Sequence, residues 1–326
     1  MASSELRLDP LTGRWVVVSA SRAARPSAFR PLSVGPQSEG GRACPFCPDS
    51  ELVQKVSLEL SGPEGDWVVR VLANRYPAFA GEEPLVVENG GPVFSHAPAS
   101  GTHEVLVLSP HHRDHWGSLS DDKVDLVMNA IAKRLAHDSE QRGLRYTQVI
   151  VNAGRDAGAS IDHPHGQLLG MPFVPRELVD EQAGFGRFAG NCLLCATISA
   201  EEGLGHRIVE ASDDALVITP FWSGTPFEML VLPRSHEGHM HRSPEGAAHA
   251  VGRALRDAVC LLEKTVGKVA YNLVFHSAPY RTSGTYHWHV HIWPKLTTLA
   301  GFELGTGVLI NVVAPEAAAS ALRTAG

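Results

Sequence analysis

The chain has 326 residues, 44% of them hydrophobic and 19% charged, with a formal charge of −7 and a pI near 6.2. That is enough apolar material for one large core or two ordinary ones, and the acidic balance argues against a nucleic-acid or membrane-surface protein, whose partners need a basic face. No apolar run reaches the roughly 18 residues of a membrane span, and the opening residues lack a signal-peptide core, so a cytoplasmic protein is expected.

In chain order, short runs rich in valine and leucine at 15–19, 67–72, 104–108, 148–152, 229–232 and 272–275 predict strands. Stretches at 35–41 and 82–100, with Gly and Pro throughout, predict loops. Val124, Val127, Ile131 and Leu135 fall on one face of a helix beginning near Ser120. Val251, Leu255, Ala258 and Leu262 do the same in a second helix, which Ser243-Pro244-Glu245 would open with a capping serine and a first-turn proline. Between 172 and 190, proline, glycine and charge interrupt the pattern and suggest a seam.

The chain is written twice. Cys44-Pro45-Phe46-Cys47, a strand leading to His112, and His163-Pro164-His165 come first. They recur as Cys192-Leu193-Leu194-Cys195, a strand leading to His236, and His287-Trp288-His289. His112 lies 51 positions before His163, and His236 lies 51 before His287. Asn152 precedes the first His-x-His as His276 precedes the second. The expected fold class is α+β, with two similar units spanning 1–178 and 179–326, each an antiparallel sheet carrying a helix.

Cys44, Cys47, His112 and His163 form one candidate metal set, and Cys192, Cys195, His236 and His287 form another. A Cys-x-x-Cys turn supplies two ligands from one loop, and two distant histidines complete a tetrahedral zinc site. Full protein ligation leaves no open position, so both are expected to be structural. For one pair alone, an ordinary loop with buried thiols competes with this reading, and the recurrence weighs against it. Cys260, on an apolar helical face, reads as core packing.

If His163-Pro164-His165-Gly166-Gln167 is extended, residues 163, 165 and 167 share a face. His163 can then hold a metal while His165 faces a pocket. A neutral imidazole attacks phosphorus, and its phosphoramidate readily gives the group up again. Gln167 can donate to a phosphoryl oxygen as charge builds. The small residues of the loop from Asn152 to Ser160 would let backbone amides approach phosphate, with Arg155 adding charge. A surface turn is the alternative for that loop.

Residues 152–167, ending in His-Pro-His-Gly-Gln, resemble the active-site segment of galactose-1-phosphate uridylyltransferases, a branch of the histidine-triad superfamily. The resemblance covers nearly the whole chain. Residues 9–15 and Arg22-Ala23-Ala24-Arg25-Pro26 resemble the family's opening, where arginine meets phosphate, and residues 74–79 resemble its nucleoside-binding segment. Residues 226–236 and His289-Val290-His291 resemble its second half. The resemblance implies two histidine-triad-like units, each a half-barrel antiparallel sheet with flanking helices. It implies a ping-pong reaction in which His165 takes a nucleoside monophosphate, UMP in the first reading, from a nucleotide sugar. Sugar 1-phosphate leaves, and a phosphate-bearing acceptor collects the nucleotide. His165 and Gln167 would be catalytic, and Arg22, Arg25, Asn74, Asn152, Gly158 and Ser160 would bind substrate. A homodimer whose active site borrows residues from the partner is also implied.

Some features depart from that pattern. Residues 301–307, followed by Ile310-Asn311, look more like the two-zinc branch that includes ADP-glucose phosphorylases, so adenylyl transfer to phosphate stands as an alternative. Some relatives use a glutamate and three histidines for the second metal, zinc or iron. His276, His289 and His291, with Glu181 or Glu177, could match that set. The Cys192/Cys195 pair favours the zinc set and leaves His289 and His291 as a buried hydrogen-bonded pair. A nucleotide hydrolase centred on His289 and a zinc-stabilised binding module without catalysis are the remaining readings.

Overall fold

The computed structural model describes residues 4–24, 44–50, 54–282 and 284–326. Strands β1 (Glu5–Leu8) and β2 (Trp15–Val18) come first. They are followed by β3 (Val56–Ser61), β4 (Trp67–Ala73), the two-residue pair β5 (Glu88–Asn89) and β6 (Ser95–His96), and β7 (Thr102–Val107). Helix α1 (Asp121–Glu140) leads to β8 (Tyr146–Ala153) and β9 (His165–Met171). Helices α2 (Arg176–Arg187) and α3 (Leu193–Leu204) precede β10 (Ile208–Ala211), β11 (Ala215–Ile218) and β12 (Met229–Pro233). Helix α4 (Glu245–Val266), β13 (Tyr271–His276), β14 (His289–Pro294), α5 (Gly301–Thr306), β15 (Leu309–Asn311) and α6 (Pro315–Ala325) complete the chain.

Ten strands form one antiparallel sheet in the order β10-β11-β12-β14-β13-β8-β9-β7-β4-β3. Its centre is the pairing of β8 with β13, where Asn152 stands opposite Asn272. Outward from that seam, the two sides repeat the same five-strand connectivity, and equivalent histidines such as His165 and His289 are 124 positions apart. The repeat legible in the sequence is therefore real, but its two sheets are joined. Separate units would each leave an edge of unpaired N–H and C=O groups, and pairing β8 to β13 removes both edges.

Helices α1 and α4 pack together on one face of the sheet. Their apolar stripes, Val124, Val127, Ile131 and Leu135 with Val251, Leu255, Ala258 and Leu262, are buried beside Leu106, Leu168, Val231 and Val290. Ser120 caps α1, accepting from the Lys123 N–H. Ser243 does not cap α4; its hydroxyl accepts the Trp288 indole N–H at 2.6 Å instead. A buried indole needs an acceptor, whereas the first turn of α4 can use water.

Strand alternation sends the neighbours of those core residues to the opposite face. There Val105 and Val107 pack with Cys44, Phe46, Cys47 and Leu72, while Leu230 and Leu232 pack with Leu178, Phe185, Leu194 and Tyr286. The stretch 172–190, between β9 and β10, contains α2. Leu178, Glu181 and Phe185 fall at helical spacing and are all buried. The stretch 82–100 is loop apart from β5 and β6, and residues 35–41 lie outside the described residues. The chain ends are tied together: Arg7 and Arg207 both donate to Glu316 of α6, at 3.0 and 2.8 Å. Among the described residues, no helix is long and apolar enough to cross a membrane.

Candidate functional site

β9 carries His165 and Gln167 on the face away from α1, with Val107 opposite His165 and Val105 opposite Gln167 on β7. On its other side β8 approaches so closely that a Cβ on Gly166 would stand 2.8 Å from the Ile150 carbonyl oxygen, and glycine permits that pairing. His165 is 7% exposed and packs against the Phe46 ring at a centroid distance of 5.2 Å. Its Nδ1–H donates to the His163 carbonyl at 2.8 Å, which leaves Nε2 with the free lone pair. Burial pushes its pKa below the ordinary histidine value, so the ring is neutral near pH 7.

Two cavities meet at His165. The larger, about 800 Å³, is also lined by Phe46, Asn74, Tyr76, Ser160 and Gln167. The smaller, about 350 Å³, is lined by Asn152, Gly154, Arg155, Arg113 and Lys268. These are volumes suited to a ligand. The structure thus gathers His165, Gln167, Asn74 and Ser160 around one space, with Asn152 in the adjoining one. Asn152 is held from the second unit: the Asn272 amide nitrogen donates to its Oδ1 at 2.7 Å and to the Ala157 carbonyl at 2.8 Å. Gly158 ends the 3-10 turn Arg155–Ala157 at φ 92°, a left-handed conformation that favours glycine. Neither Gly158 nor Arg22, half-buried in the 3-10 turn Ala20–Ala24, lines these cavities. Arg25 lies outside the described residues.

Both Cys-x-x-Cys pairs meet their histidines. Cys44, Cys47, His112 and His163 place one ligand atom each within 4.8 Å of the others, as do Cys192, Cys195, His236 and His287. His163 Nδ1 lies 3.7 and 3.6 Å from the two sulfurs, and His287 Nδ1 lies 3.7 and 3.5 Å from its pair. The far nitrogens donate to carbonyls: His163 Nε2–H to Ser109 at 2.8 Å, and His287 Nε2–H to Pro233 at 2.9 Å. Each imidazole is therefore the tautomer that offers Nδ1 to a cation. Burial pushes both pKa values down to about 4, so both rings are neutral, as metal ligands must be. These clusters suggest metal binding.

A third group lies beside the second cluster. Glu181 on α2 meets His276, His289 and His291, all buried, with ligand atoms again within 4.8 Å of one another. Glu181 Oε1 accepts from His276 Nδ1 at 2.8 Å, and its other oxygen accepts from the Tyr286 hydroxyl. The expectation of a hydrogen-bonded His289/His291 pair is corrected: His289 Nε2 and both ring nitrogens of His291 are buried without a hydrogen-bond partner. Such orphaned atoms are costly unless something else meets them. The glutamate is Glu181 and not Glu177, which pairs with Arg14 at 2.6 Å. The two ligand sets posed as alternatives are thus both assembled. Cys260 is half-buried and donates its S–H to the Gly117 carbonyl at 3.0 Å. Sequence reading passed over Phe46 as the ring wall of His165 and His103 as the neighbour of Gln167. The alternation of His103 with Val105 and Val107 along β7 was the available signal for the second.

The model of the family described as galactose-1-phosphate uridyl transferase, N-terminal domain, matches residues 1–175. An ADP-glucose phosphorylase of Arabidopsis thaliana is 31% identical over 98% of this chain and 93% of that protein. A galactose-1-phosphate uridylyltransferase of Thermotoga maritima is 27% identical over 98% of each chain. The crystal structure of an A. thaliana ADP-glucose phosphorylase with bound ADP-glucose superposes with a TM-score of 0.84 at 28% identity, covering 99% of this chain and 98% of that one. With a family match over more than half its length and relatives alike along nearly all of it, the chain belongs to the galactose-1-phosphate uridyl transferase family, a family of nucleotidyltransferases.

Proposed function

We propose that this enzyme moves a nucleoside monophosphate from a nucleotide sugar to a phosphate-bearing acceptor through a covalent nucleotidyl-His165. The observation that carries this reading is the opposite tautomers of two neighbouring histidines. His163 gives its Nε2–H to Ser109 and turns Nδ1 to the cysteines; His165 gives its Nδ1–H to His163 and keeps the Nε2 lone pair for the cavities. In the first half-reaction Nε2 attacks the α-phosphorus. The N–P bond forms, the bond to the sugar phosphate oxygen breaks, and sugar 1-phosphate leaves with that electron pair. The Nδ1–H bond to the His163 carbonyl stabilises the positive charge that the ring acquires. An acceptor phosphate oxygen then attacks the same phosphorus and frees His165. Gln167 donates to the phosphoryl oxygen in both steps. Asn74 and Ser160 contact the nucleotide in the larger cavity, and Asn152 serves the phosphates in the adjoining one. Gly158 shapes the turn beside it, and a phosphate role for Arg22 and Arg25 rests on the family resemblance alone. On this reading residues 1–178 carry the chemistry, residues 179–326 brace them, and the working form is a homodimer.

Zinc suits the two Cys-His clusters. A tetrahedral ion with Zn–S of about 2.3 Å and Zn–N of about 2.0–2.1 Å separates S and N by roughly 3.6 Å. The spacings at His163 and His287 run from 3.5 to 3.7 Å. With four protein ligands each, these ions would pin distant segments and take no part in the chemistry. Glu181, His276, His289 and His291 fit a further zinc or iron ion in the same bracing role.

Transfer of UMP to sugar 1-phosphate is the first reading, from the family. Transfer of AMP from ADP-glucose to phosphate is the second, favoured by the similarity to the A. thaliana phosphorylase and by the second Cys-His cluster. The test is incubation with UDP-glucose, UDP-galactose and ADP-glucose, reading the mass added to the protein. A uridylyl or adenylyl increment on His165 names the base. No increment from any of them refutes the proposal.

A further inference from the structure

The end of the Gln167 amide that meets the cavity is decided from outside the site. On β7, Val105 stands opposite Gln167 and His103 opposite Leu169, so His103 is the diagonal neighbour of Gln167 on the same face. The Ala78 backbone N–H donates to His103 Nδ1 at 3.0 Å. A backbone N–H cannot accept, so Nδ1 carries the lone pair and the proton of the neutral ring sits on Nε2. That Nε2–H lies 2.9 Å from Gln167 Oε1. Its other neighbour, Asn74 Nδ2 at 3.1 Å, is no acceptor. The Tyr76 backbone N–H takes Asn74 Oδ1 at 2.8 Å and leaves the amino end of Asn74 toward His103. The acceptor for His103 is therefore the Gln167 oxygen, which turns the amino end of Gln167 away from His103, in the cavity it lines with His165 and Ser160.

We infer that His103 is a positioning residue. It relays the direction of the Ala78 N–H to Gln167, so that the glutamine presents an N–H, and not a carbonyl oxygen, to the phosphoryl group of a bound nucleotide. A reversed amide would set its oxygen against the phosphoryl charge. This inference rests on the donor role proposed above for Gln167. The cost of losing His103 must therefore be felt through Gln167 and not through the fold.

The test is a double-mutant cycle on the full chain. Nucleotidyl-protein formation from ADP-glucose and from UDP-glucose is timed in single turnover for the wild type, His103→Ala, Gln167→Ala and the double variant. Gln167→Ala should slow the step by roughly 10²-fold, as loss of one oxyanion donor does. His103→Ala should slow it by roughly tenfold, as for one lost neutral hydrogen bond. The substrate concentration at half-saturation should stay within about twofold. In the Gln167→Ala background His103→Ala should cost nothing further, because the group it orients is gone. His103→Gln, which keeps an acceptor and an N–H donor, should recover part of the rate. Equal slowing in both backgrounds, or none in the wild-type background, overturns the inference while leaving Gln167 in place. An unslowed Gln167→Ala, or a protein labelled by none of ADP-glucose, UDP-glucose and UDP-galactose, overturns the parent reading and this one with it. Should His103→Ala fail to fold, His103→Asn takes its place in the cycle, being polar but too short to reach Gln167.

Discussion

His165 and His289 make the same hydrogen bond in the two units: each gives Nδ1–H to the carbonyl of the histidine two positions earlier, at 2.8 and 2.9 Å. What surrounds the opposite nitrogen differs. His165 Nε2 belongs to a ring that lines two cavities, whereas His289 is 0% exposed and its Nε2 lies 3.8 Å from Glu181. The repeat also matches Gln167 to His291 and Asn152 to His276. The second unit thus keeps the strand geometry of the first while its counterpart positions carry metal-type ligands, which argues against hydrolysis centred on His289.

The nucleophile is tested first. His165→Gly should accumulate no nucleotide adduct, and added imidazole should restore part of the transfer by filling the gap. The wild-type adduct should survive base and fall off in acid, as a phosphoramidate does. His289→Ala, by contrast, should still label if it folds. Label on His165→Gly protein, read by intact mass, would refute the covalent mechanism.

Removing Gln167 should cost rate and not affinity. Gln167→Ala is expected to slow turnover by roughly 10²-fold, the usual cost of one oxyanion donor, with the nucleotide sugar still bound. Calorimetric binding beside steady-state rates checks this. A large loss of affinity at unchanged turnover would assign Gln167 to ground-state binding.

Metal content should follow the clusters. Purified protein should hold about one ion for each four-residue ligand set. Cys44→Ala and Cys192→Ala should each lose one zinc and melt lower, because a closed site contributes folding energy. His291→Ala should lose a different equivalent and leave both zinc ions in place. Elemental analysis of the variants decides this, and His291→Ala protein with unchanged metal content would leave the third cluster without an ion.

One surface group should make stability depend on pH. Burial, and then Asp257, push the Glu210 carboxyl up from 4.5 to about 7. A raised folded-state pKa means that the fold favours the protonated form. The Glu210 contribution is therefore fully present below about pH 4.5 and is lost as pH rises through 7. Glu210→Gln should match the wild type at low pH and be the more stable above pH 7, by no more than about 1 kcal/mol given its half-exposed position. Melting curves at the two extremes that differ by the same amount would contradict this.

The chemistry was legible in sequence wherever it depends on residues close together in the chain. Cys-x-x-Cys, His-x-His and the alternation along 163–167 declare their own geometry, because a turn or an extended strand fixes side-chain direction locally. The equal intervals from His112 to His163 and from His236 to His287 added a second copy, which no single motif supplies. The capping of α4 was misjudged because it depended on a distant competitor, the Trp288 indole that takes the Ser243 hydroxyl. Helix α2 was hidden within 172–190 because charge and glycine masked the apolar spacing of Leu178 and Phe185.

The sequence by itself determined two α+β units with two Cys-His ligand sets and one histidine free to face a pocket. The Cys-x-x-Cys turns and the alternation along 163–167 follow from local spacing, and the two units and the histidines assigned to each cysteine pair follow from the repeat. Only the tertiary structure decided that the units share one sheet through β8 and β13, and that Glu181 joins three histidines instead of leaving them paired. It also decided which nitrogen of each imidazole stays free, and that His103 meets Gln167 from 64 positions away. These depend on register and on hydrogen-bond competition between segments distant in the chain. Periodicity carries no record of that competition, because a partner's position is set by the packing of everything between.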